Sequence, residues 1–174
     1  MLMEEERFVR LLAETGRRIH KVGGDGNCLF RAVAHQLYGN EEHHWMIRQH
    51  CLDYVESERE YFAQYIIGGL QSFHIYVARK REDGVWGDDV EIQALSEIYD
   101  RPIEVYAYSK VPMRTFHESH ENESAQPIRL SYHGKSHFNS IMSFNENEHS
   151  FLRTRPGVVE QSALAQARVR RDEN

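Results

Sequence analysis

The chain has 174 residues, 40% of them hydrophobic and 28% charged, which suits one globular domain and is short for two. The net charge of −6 has the wrong sign for a generic nucleic-acid binder. No apolar run reaches the roughly 18 residues of a membrane span. The first ten residues contain three consecutive glutamates, which excludes a secretory signal there. Two cysteines are too few for a disulfide scaffold. We therefore expect a monomer of the cytoplasm, with the nucleus as a second location, that binds neither nucleic acid nor membranes.

The first hundred residues show helical patterning. Apolar residues recur at helical spacing over 4–15, 29–38, 41–57, 59–67, 70–81 and 88–99. Gly39 is placed to end the second of these helices in the left-handed conformation, and Asp88 with Glu91 predicts a capping box at the start of the last. Glu41 and Glu42 would lie in the first turn of the third helix, the favourable end of its dipole for acidic residues.

Beyond Pro102 the apolar period changes from helical to alternating. Strands are predicted over 103–108, 128–132 and 137–142, with a short edge strand at 114–117. Helices that precede the strands indicate an α+β fold. In the segment 145–174, one face of a helix would carry Val159, Ala163, Leu164 and Ala167, and disorder is an equal alternative.

A glycine-rich turn, Gly-Gly-Asp-Gly-Asn at 23–27, leads directly into Cys28 at the start of a predicted helix. A thiolate is a strong nucleophile, but a free thiol with a pKa near ~8.5 supplies little of it at neutral pH. A helix N-terminus and a nearby imidazolium both lower the pKa of a thiol. Glycines also allow backbone N–H groups to turn toward one point, as an oxyanion hole requires. The pattern predicts a reactive Cys28.

His137 is the histidine whose setting suits such a thiol. It begins the last predicted strand, and Asn139 follows two residues later. Residues two apart on a strand face the same side, so Asn139 can orient the imidazole as the third member of a Cys-His-Asn set does. We therefore predict that His137 and Cys28, distant in sequence, meet in the fold.

Several segments together resemble one family. They are DGNCLFRA at 25–32, EIQAL at 91–95, PIEVY at 102–106 and HFNS at 137–140. These segments, in this order, resemble the ovarian tumour (OTU) family of cysteine deubiquitinases, and within it the DUBA-like subgroup. The resemblance covers about 19–142 and implies hydrolysis of isopeptide bonds at the C-terminus of ubiquitin.

The resemblance also implies site residues. Cys28 matches the family's nucleophile and His137 its general base. Asp25 matches a third active-site position, whereas Asn139 matches the position that often orients the imidazole; these two roles compete, and the sequence does not decide between them. The backbone amides of Asp25, Gly26, Asn27 and Cys28 match the oxyanion hole.

The organisation implied by the resemblance is an OTU, papain-like α+β fold with helices packed around a small central β-sheet. The catalytic domain would span 19–144, after an N-terminal helix at 1–18 and before a C-terminal tail at 145–174 that is either helical or disordered. The expected partners are ubiquitin and polyubiquitin chains. No cofactor and no metal is implied.

Two other functions remain open from the sequence. The first is a ubiquitin-binding module that has lost its catalytic activity, although an intact Cys28 and His137 argue against that. A Cys-His protease acting on another ubiquitin-like modifier would carry the same residues.

Other residues admit a structural and a functional interpretation. Cys51, on the apolar face of its helix, is interpreted as a packing thiol, and Trp86 as a core residue in preference to a ubiquitin contact. Histidine pairs at 117 and 120, or 133 and 137, have spacings that could hold zinc but lack cysteine partners. Arginines at 168, 170 and 171 are interpreted as a solvated tail, because a localisation or nucleic-acid patch uses more basic residues.

Overall fold

The structure is a computed structural model that describes residues 2–117, 125–145, 151–152 and 154–173. Its helices are α1 (Leu2–Glu14), α2 (Cys28–Tyr38), α3 (His44–Ser57), α4 (Arg59–Phe62), α5 (Leu70–Lys80), α6 (Asp89–Tyr99) and α7 (Val158–Asp172), with a 3₁₀ turn at Ala63–Tyr65. Its strands are β1 (Arg17–His20), β2 (Ile103–Tyr106), β3 (Arg114–Phe116), β4 (Ile128–His133) and β5 (His137–Ser143). No helix of the described ranges has both the length and the apolarity needed to cross a membrane.

The strands form one mixed sheet in the order β1-β5-β4-β2-β3. The β2–β4 pair is parallel and the other pairs are antiparallel. The four predicted strands are confirmed to within two residues at their ends, whereas β1 was too short to predict. Pairing of β1 with β5 places Ile19 opposite Ile141 and leads the chain into the glycine-rich turn beside the sheet.

Helix α2 packs across β5 and β4 and forms the centre of the core. Its apolar stripe is fully buried, and it consists of Leu29, Phe30, Val33 and Leu37. The helix ends, as predicted, at Gly39 in the left-handed conformation (φ +77°). The predicted capping box of Asp88 and Glu91 is likewise present at the start of α6. Local signals therefore set the C-terminus of α2 and the N-terminus of α6.

Two predicted helices differ from the observed ones. Helix α3 begins at His44, so the expectation that Glu41 and Glu42 lie in its first turn was wrong. Glu41 instead accepts a hydrogen bond from the N–H of Gly23 at 3.4 Å and lies 3.7 Å from the guanidinium of Arg31. The helix predicted over 59–67 is instead α4 followed by a 3₁₀ turn, and this turn ends at Ile66, which adopts an extended conformation.

The segment after 145 contains α7, which packs on α3 and α6. Its inward face buries Leu164 and Ala167. Glu160 is also buried, and it accepts hydrogen bonds from the hydroxyls of Tyr38 and Tyr99. The sequence allowed either a helix or disorder in this segment, and the structure has a helix. The domain boundaries at 18 and 144 stay predictions.

The arginines of α7 bind other helices instead of forming a solvated tail. Arg168 donates to the hydroxyl of Ser57 at 3.2 Å and Arg170 to the carbonyl of Glu97 at 2.8 Å. Arg171 pairs with the carboxylate of Glu97 and lies 3.7 Å from the ring centroid of Tyr61. Their contacts therefore dock α7 on the domain, and the interpretation as a solvated tail was wrong.

Two loops meet at glycines beside the start of α2. Gly26 has φ +85°, and a Cβ atom at this position would lie 1.8 Å from the carbonyl oxygen of Gly84. Gly84, in the connection between α5 and α6, also has a positive φ, and a Cβ there would meet the carbonyl oxygen of Asp25 at 3.3 Å. This close approach of two backbones requires glycine at position 26.

We predict that Gly26→Ala destabilises the protein more than Gly16→Ala does. Both positions have φ near +80° and share a conformational cost of about 1–2 kcal/mol for a side chain, but only at Gly26 would the added methyl group collide with backbone. The collision should add about 1–3 kcal/mol. Urea denaturation of the two variants measures this difference, and equal midpoints would contradict the close approach of the two loops.

Candidate active site

Cys28 is the first residue of α2 and is 2% exposed. Its thiol donates to the carbonyl oxygen of Ser136 at 3.8 Å. Ser136 directly precedes the first residue of β5, so this contact joins the nucleophile loop to the turn between β4 and β5. The sulfur therefore lies where helix α2 meets the start of the last strand.

Burial raises the pKa of the Cys28 thiol above its ordinary value. The N–H groups of Phe138, Leu29 and Cys28 itself favour the thiolate and lower the pKa, but the nearby charge of Asp25 adds to the effect of burial. The expectation that the helix N-terminus would activate this thiol was therefore incomplete. Desolvation outweighs the amides here, and a nearby cation would favour the thiolate.

His137 is held by Asn139. The ring Nε2 of His137 lies 2.8 Å from Asn139 Oδ1, and the same oxygen accepts a hydrogen bond from the backbone N–H of Val22 at 3.0 Å. Since the Val22 amide can only donate, it identifies this atom of Asn139 as the oxygen. Nε2 of a neutral His137 must then carry the proton, which leaves Nδ1 as the proton acceptor.

The backbone on both sides of His137 contacts the thiol of Cys28. The residue before His137 accepts from Cys28 through its carbonyl, and the N–H of the residue after it, Phe138, interacts with the sulfur. On the loop side, a Cβ atom at Gly24 would lie 3.9 Å from Cε1 of His137. The structure thus places Asn139 against the imidazole of His137, as the strand pattern predicted, and brings the backbone on either side of His137 to the sulfur of Cys28. The catalytic roles of Cys28 and His137 stay predictions.

Asp25 has a different partner. Arg31 donates to its carboxylate through Nε at 3.1 Å and Nη2 at 2.6 Å, and the N–H of Asn27 donates to Oδ1 at 3.1 Å. The guanidinium of Arg31 holds the pKa of Asp25 far below its usual range. No hydrogen bond among the described residues joins Asp25 to His137, so Asp25 is placed to organise the loop and Asn139 to orient the imidazole.

The loop contact also changes the set of amides available for an oxyanion. The N–H of Asn27 is used by the carboxylate of Asp25. It was predicted to be one of the oxyanion-hole donors, and its engagement within the loop argues against that role. The other amides of that set belong to Asp25, Gly26 and Cys28.

Arg48 is the main feature of the site that was not predicted. It lies on α3, is 1% exposed, and donates to the side-chain oxygen of Asn27 at 2.7 Å and to the carbonyl of Lys80 at 2.8 Å. Its guanidinium also stacks on the ring of Phe30, 4.3 Å from the centroid. Its position in the sequence could have indicated this role. Arg48 lies three residues before Cys51, on the inward face of α3, and a charge that is buried there needs partners.

Asn27 completes this connection through its side chain. Its Oδ1 accepts a second hydrogen bond, from the N–H of Gly84 at 2.9 Å, and its Nδ2 donates to Asp83 at 3.2 Å. The residue before the nucleophile is therefore fixed to both α3 and the connection between α5 and α6. This fixes the start of α2 and, with it, the position of Cys28.

The other residues singled out from the sequence have structural surroundings. Cys51 is fully buried, its thiol donates to the carbonyl of Glu91 at 3.6 Å, and burial raises its pKa; its interpretation as a packing thiol is confirmed. Trp86 is half-buried and stacks on Phe138 with ring centroids 5.8 Å apart. It therefore packs beside the site instead of projecting from the surface.

The histidine pairs considered for zinc have other partners. His117 lies 2.9 Å from Asp100, and His133 lies 2.7 Å from Glu5, while His120 lies outside the described residues. Within the ranges that the structure describes, no three metal-binding side chains come together.

Comparison with known proteins places this geometry in a family. The sequence model of a family described as OTU-like cysteine protease matches residues 23–139, which include the glycine-rich turn, Cys28, His137 and Asn139. OTU domain-containing protein 5 of Rattus norvegicus is 40% identical over 172 residues, covering 94% of this chain and 29% of its own. OVARIAN TUMOR DOMAIN-containing deubiquitinating enzyme 6 of Arabidopsis thaliana is 49% identical over 127 residues, covering 73% of this chain and 24% of its own.

Solved structures show the same fold. The OTU domain of OTUD1 aligns with a TM-score of 0.71 at 21% identity, covering 82% of this chain and 96% of that one. An OTU domain solved in complex with ubiquitin aligns with a TM-score of 0.60 at 21% identity, covering 87% and 84%. The predicted papain-like α+β fold with helices around a small central sheet is thus confirmed. The chain covers only 29% and 24% of the length of the two relatives above. Over 23–139 it belongs to the OTU-like cysteine protease family.

Proposed function

We propose that this chain is a cysteine deubiquitinase that hydrolyses isopeptide bonds at the C-terminus of ubiquitin. The observation that carries the proposal is a buried thiol against the carbonyl of Ser136, directly before a histidine, His137, whose tautomer is set by Asn139. Two comparisons support the choice of substrate: the Arabidopsis relative is named a deubiquitinating enzyme, and one structural neighbour was solved with ubiquitin.

The mechanism follows from the orientation of the ring. With the proton on Nε2 held by Asn139, Nδ1 of His137 accepts the proton of Cys28, and the thiolate–imidazolium pair offsets the cost of burying the charged sulfur. The thiolate attacks the carbonyl carbon of the ubiquitin C-terminus. His137 then donates its proton to the leaving lysine amine, and water hydrolyses the thioester with the same ring as base.

The developing oxyanion needs backbone donors. We assign this role to amides of the loop that ends at Cys28, namely those of Asp25, Gly26 and Cys28, since the Asn27 amide is engaged by Asp25. Preorganised amides stabilise the charge without reorganisation during the reaction. The contacts of Asn27 with Arg48 and Gly84 keep this loop in place.

We further propose that the chain acts on ubiquitin and polyubiquitin chains as a monomer, in the cytoplasm with the nucleus as a second location. The net charge of −6 supports a partner with a basic face, as ubiquitin has. The motifs at 25–32 and 137–140 support placement in the DUBA-like subgroup of the family.

A ubiquitin probe with a C-terminal electrophile tests the proposed activity directly. We expect the wild type and Cys51→Ala to form a covalent adduct, and Cys28→Ala to form none, because, of the two cysteines, Cys28 alone contacts the turn that leads into His137. Intact mass spectrometry detects the adduct, and mapping of tryptic peptides identifies the modified cysteine. A folded wild type that forms no adduct would contradict the deubiquitinase proposal, and an adduct on Cys28→Ala would contradict the nucleophile. Reaction with a probe made from a ubiquitin-like modifier, but not from ubiquitin, would favour a protease for that modifier.

Asn139→Ala should lower kcat more than Asp25→Ala does. Removing Asn139 releases Nε2 of His137 and allows the wrong tautomer, which costs orders of magnitude in a related triad. Asp25→Ala breaks the contacts with Arg31 and Asn27 and should act mainly by loosening the loop, with a lower urea midpoint. Steady-state kinetics on a fluorogenic ubiquitin substrate, with urea denaturation of both variants, measures this. A larger loss of kcat in Asp25→Ala, at unchanged stability, would reverse the assignment.

A further inference from the structure

Helix α1 reaches the active-site turn through one carboxylate. Oε2 of Glu5 lies 2.7 Å from Nδ1 of His133, and its Oε1 accepts a hydrogen bond from the hydroxyl of Tyr108 at 2.7 Å. The two partners come from different parts of the sheet, since His133 ends β4 and Tyr108 follows β2. Glu5 therefore connects the N-terminal helix with two segments that are distant in sequence.

Both partners of Glu5 also hold the turn between β4 and β5. The hydroxyl of Tyr108 accepts from the backbone N–H of Gly134 at 2.9 Å, and Nε2 of His133 lies 2.7 Å from the hydroxyl of Ser131. The rings of Tyr108 and His133 pack on the buried ring of Phe8, with centroids 5.4 and 5.6 Å away. Contacts with α1 thus fix the start of the turn between β4 and β5.

This turn carries parts of the proposed catalytic site. His133 is the cross-strand partner of His137, with ring centroids 6.5 Å apart. Ser136, the last residue before His137, supplies the carbonyl that accepts from the thiol of Cys28. A shift of the turn would therefore move the imidazole and the acceptor of the thiol together.

The charge of Glu5 is stabilised at this position. Burial acts to raise its pKa, but hydrogen bonds from Tyr108 and His133 and the charge of His133 outweigh that effect, and the pKa lies below its usual range. Docking of α1 has a separate apolar basis, because Phe8 and Leu12 are buried against Tyr106 and Ile141. The contacts of Glu5 can therefore be removed without removing the packing of the helix.

We propose that Glu5 is a positioning residue, which through His133 and Tyr108 holds the 133–136 turn so that His137 and the Ser136 carbonyl stay against Cys28. The inference rests on the proposed function, and it assigns the N-terminal helix a part in catalysis. Small displacements of reacting groups cost up to about 100-fold in rate.

The test compares Glu5→Ala and Tyr108→Phe with Glu6→Ala, a control in which the neighbouring glutamate is exposed. We measure kcat and KM on a fluorogenic ubiquitin substrate, the rate at which iodoacetamide alkylates Cys28, and the urea midpoint. We expect both variants to lower kcat and the alkylation rate at least about tenfold with KM within about twofold. The double variant should lose little more than either single one, because the two residues act through one turn.

Glu6→Ala should match the wild type. Wild-type kcat and alkylation in Glu5→Ala would overturn the inference, and so would a loss that appears only in KM or only in proportion to the unfolded fraction. If the wild type does not cleave ubiquitin, the proposed function fails, and the alkylation rates of Cys28 alone decide the inference.

Discussion

The buried guanidinium of Arg48 joins helix α3 to the turn before α2 and to the end of α5. It binds the side-chain oxygen of Asn27, the carbonyl at the end of α5 and the face of Phe30. Removal of one partner from a buried, paired charge typically costs about 3–5 kcal/mol. The position of Cys28, one residue after Asn27, therefore depends on an arginine of another helix and on the close approach of Gly26 to Gly84.

The two cysteines show why surroundings decide reactivity. Burial raises the pKa of both thiols. Cys51 contacts the carbonyl of Glu91 in the core, whereas Cys28 lies between backbone amides and a turn that ends at His137. A helix N-terminus by itself does not offset the desolvation of Cys28. In the proposed mechanism, the imidazole that follows Ser136, held by Asn139, supplies the cation that stabilises a thiolate at this position.

Features that depend on neighbours in sequence were predictable, and features that depend on distant contacts were not. The alternation of β5 placed Asn139 beside His137, the glycine turn placed Cys28 at a helix start, and the capping box marked α6. The partner of Asn139 on the other side, Val22, is 117 residues away, and β1 that precedes it is too short to show a period. Likewise, no local pattern links Glu5 to His133 or Arg48 to Asn27, because such pairs are set by the packing of whole elements.

The central claim is that His137 converts a buried, poorly acidic Cys28 into a thiolate. Its most direct measurement is the pH profile of Cys28 alkylation by iodoacetamide, followed by mass spectrometry of the Cys28 peptide from about pH 5 to pH 10 in the wild type and in His137→Ala. The account predicts a wild-type midpoint well below the ~8.5 of a free thiol. In His137→Ala the midpoint should lie above ~8.5, since burial without a cation favours the protonated form. The same midpoint in both proteins would contradict the account.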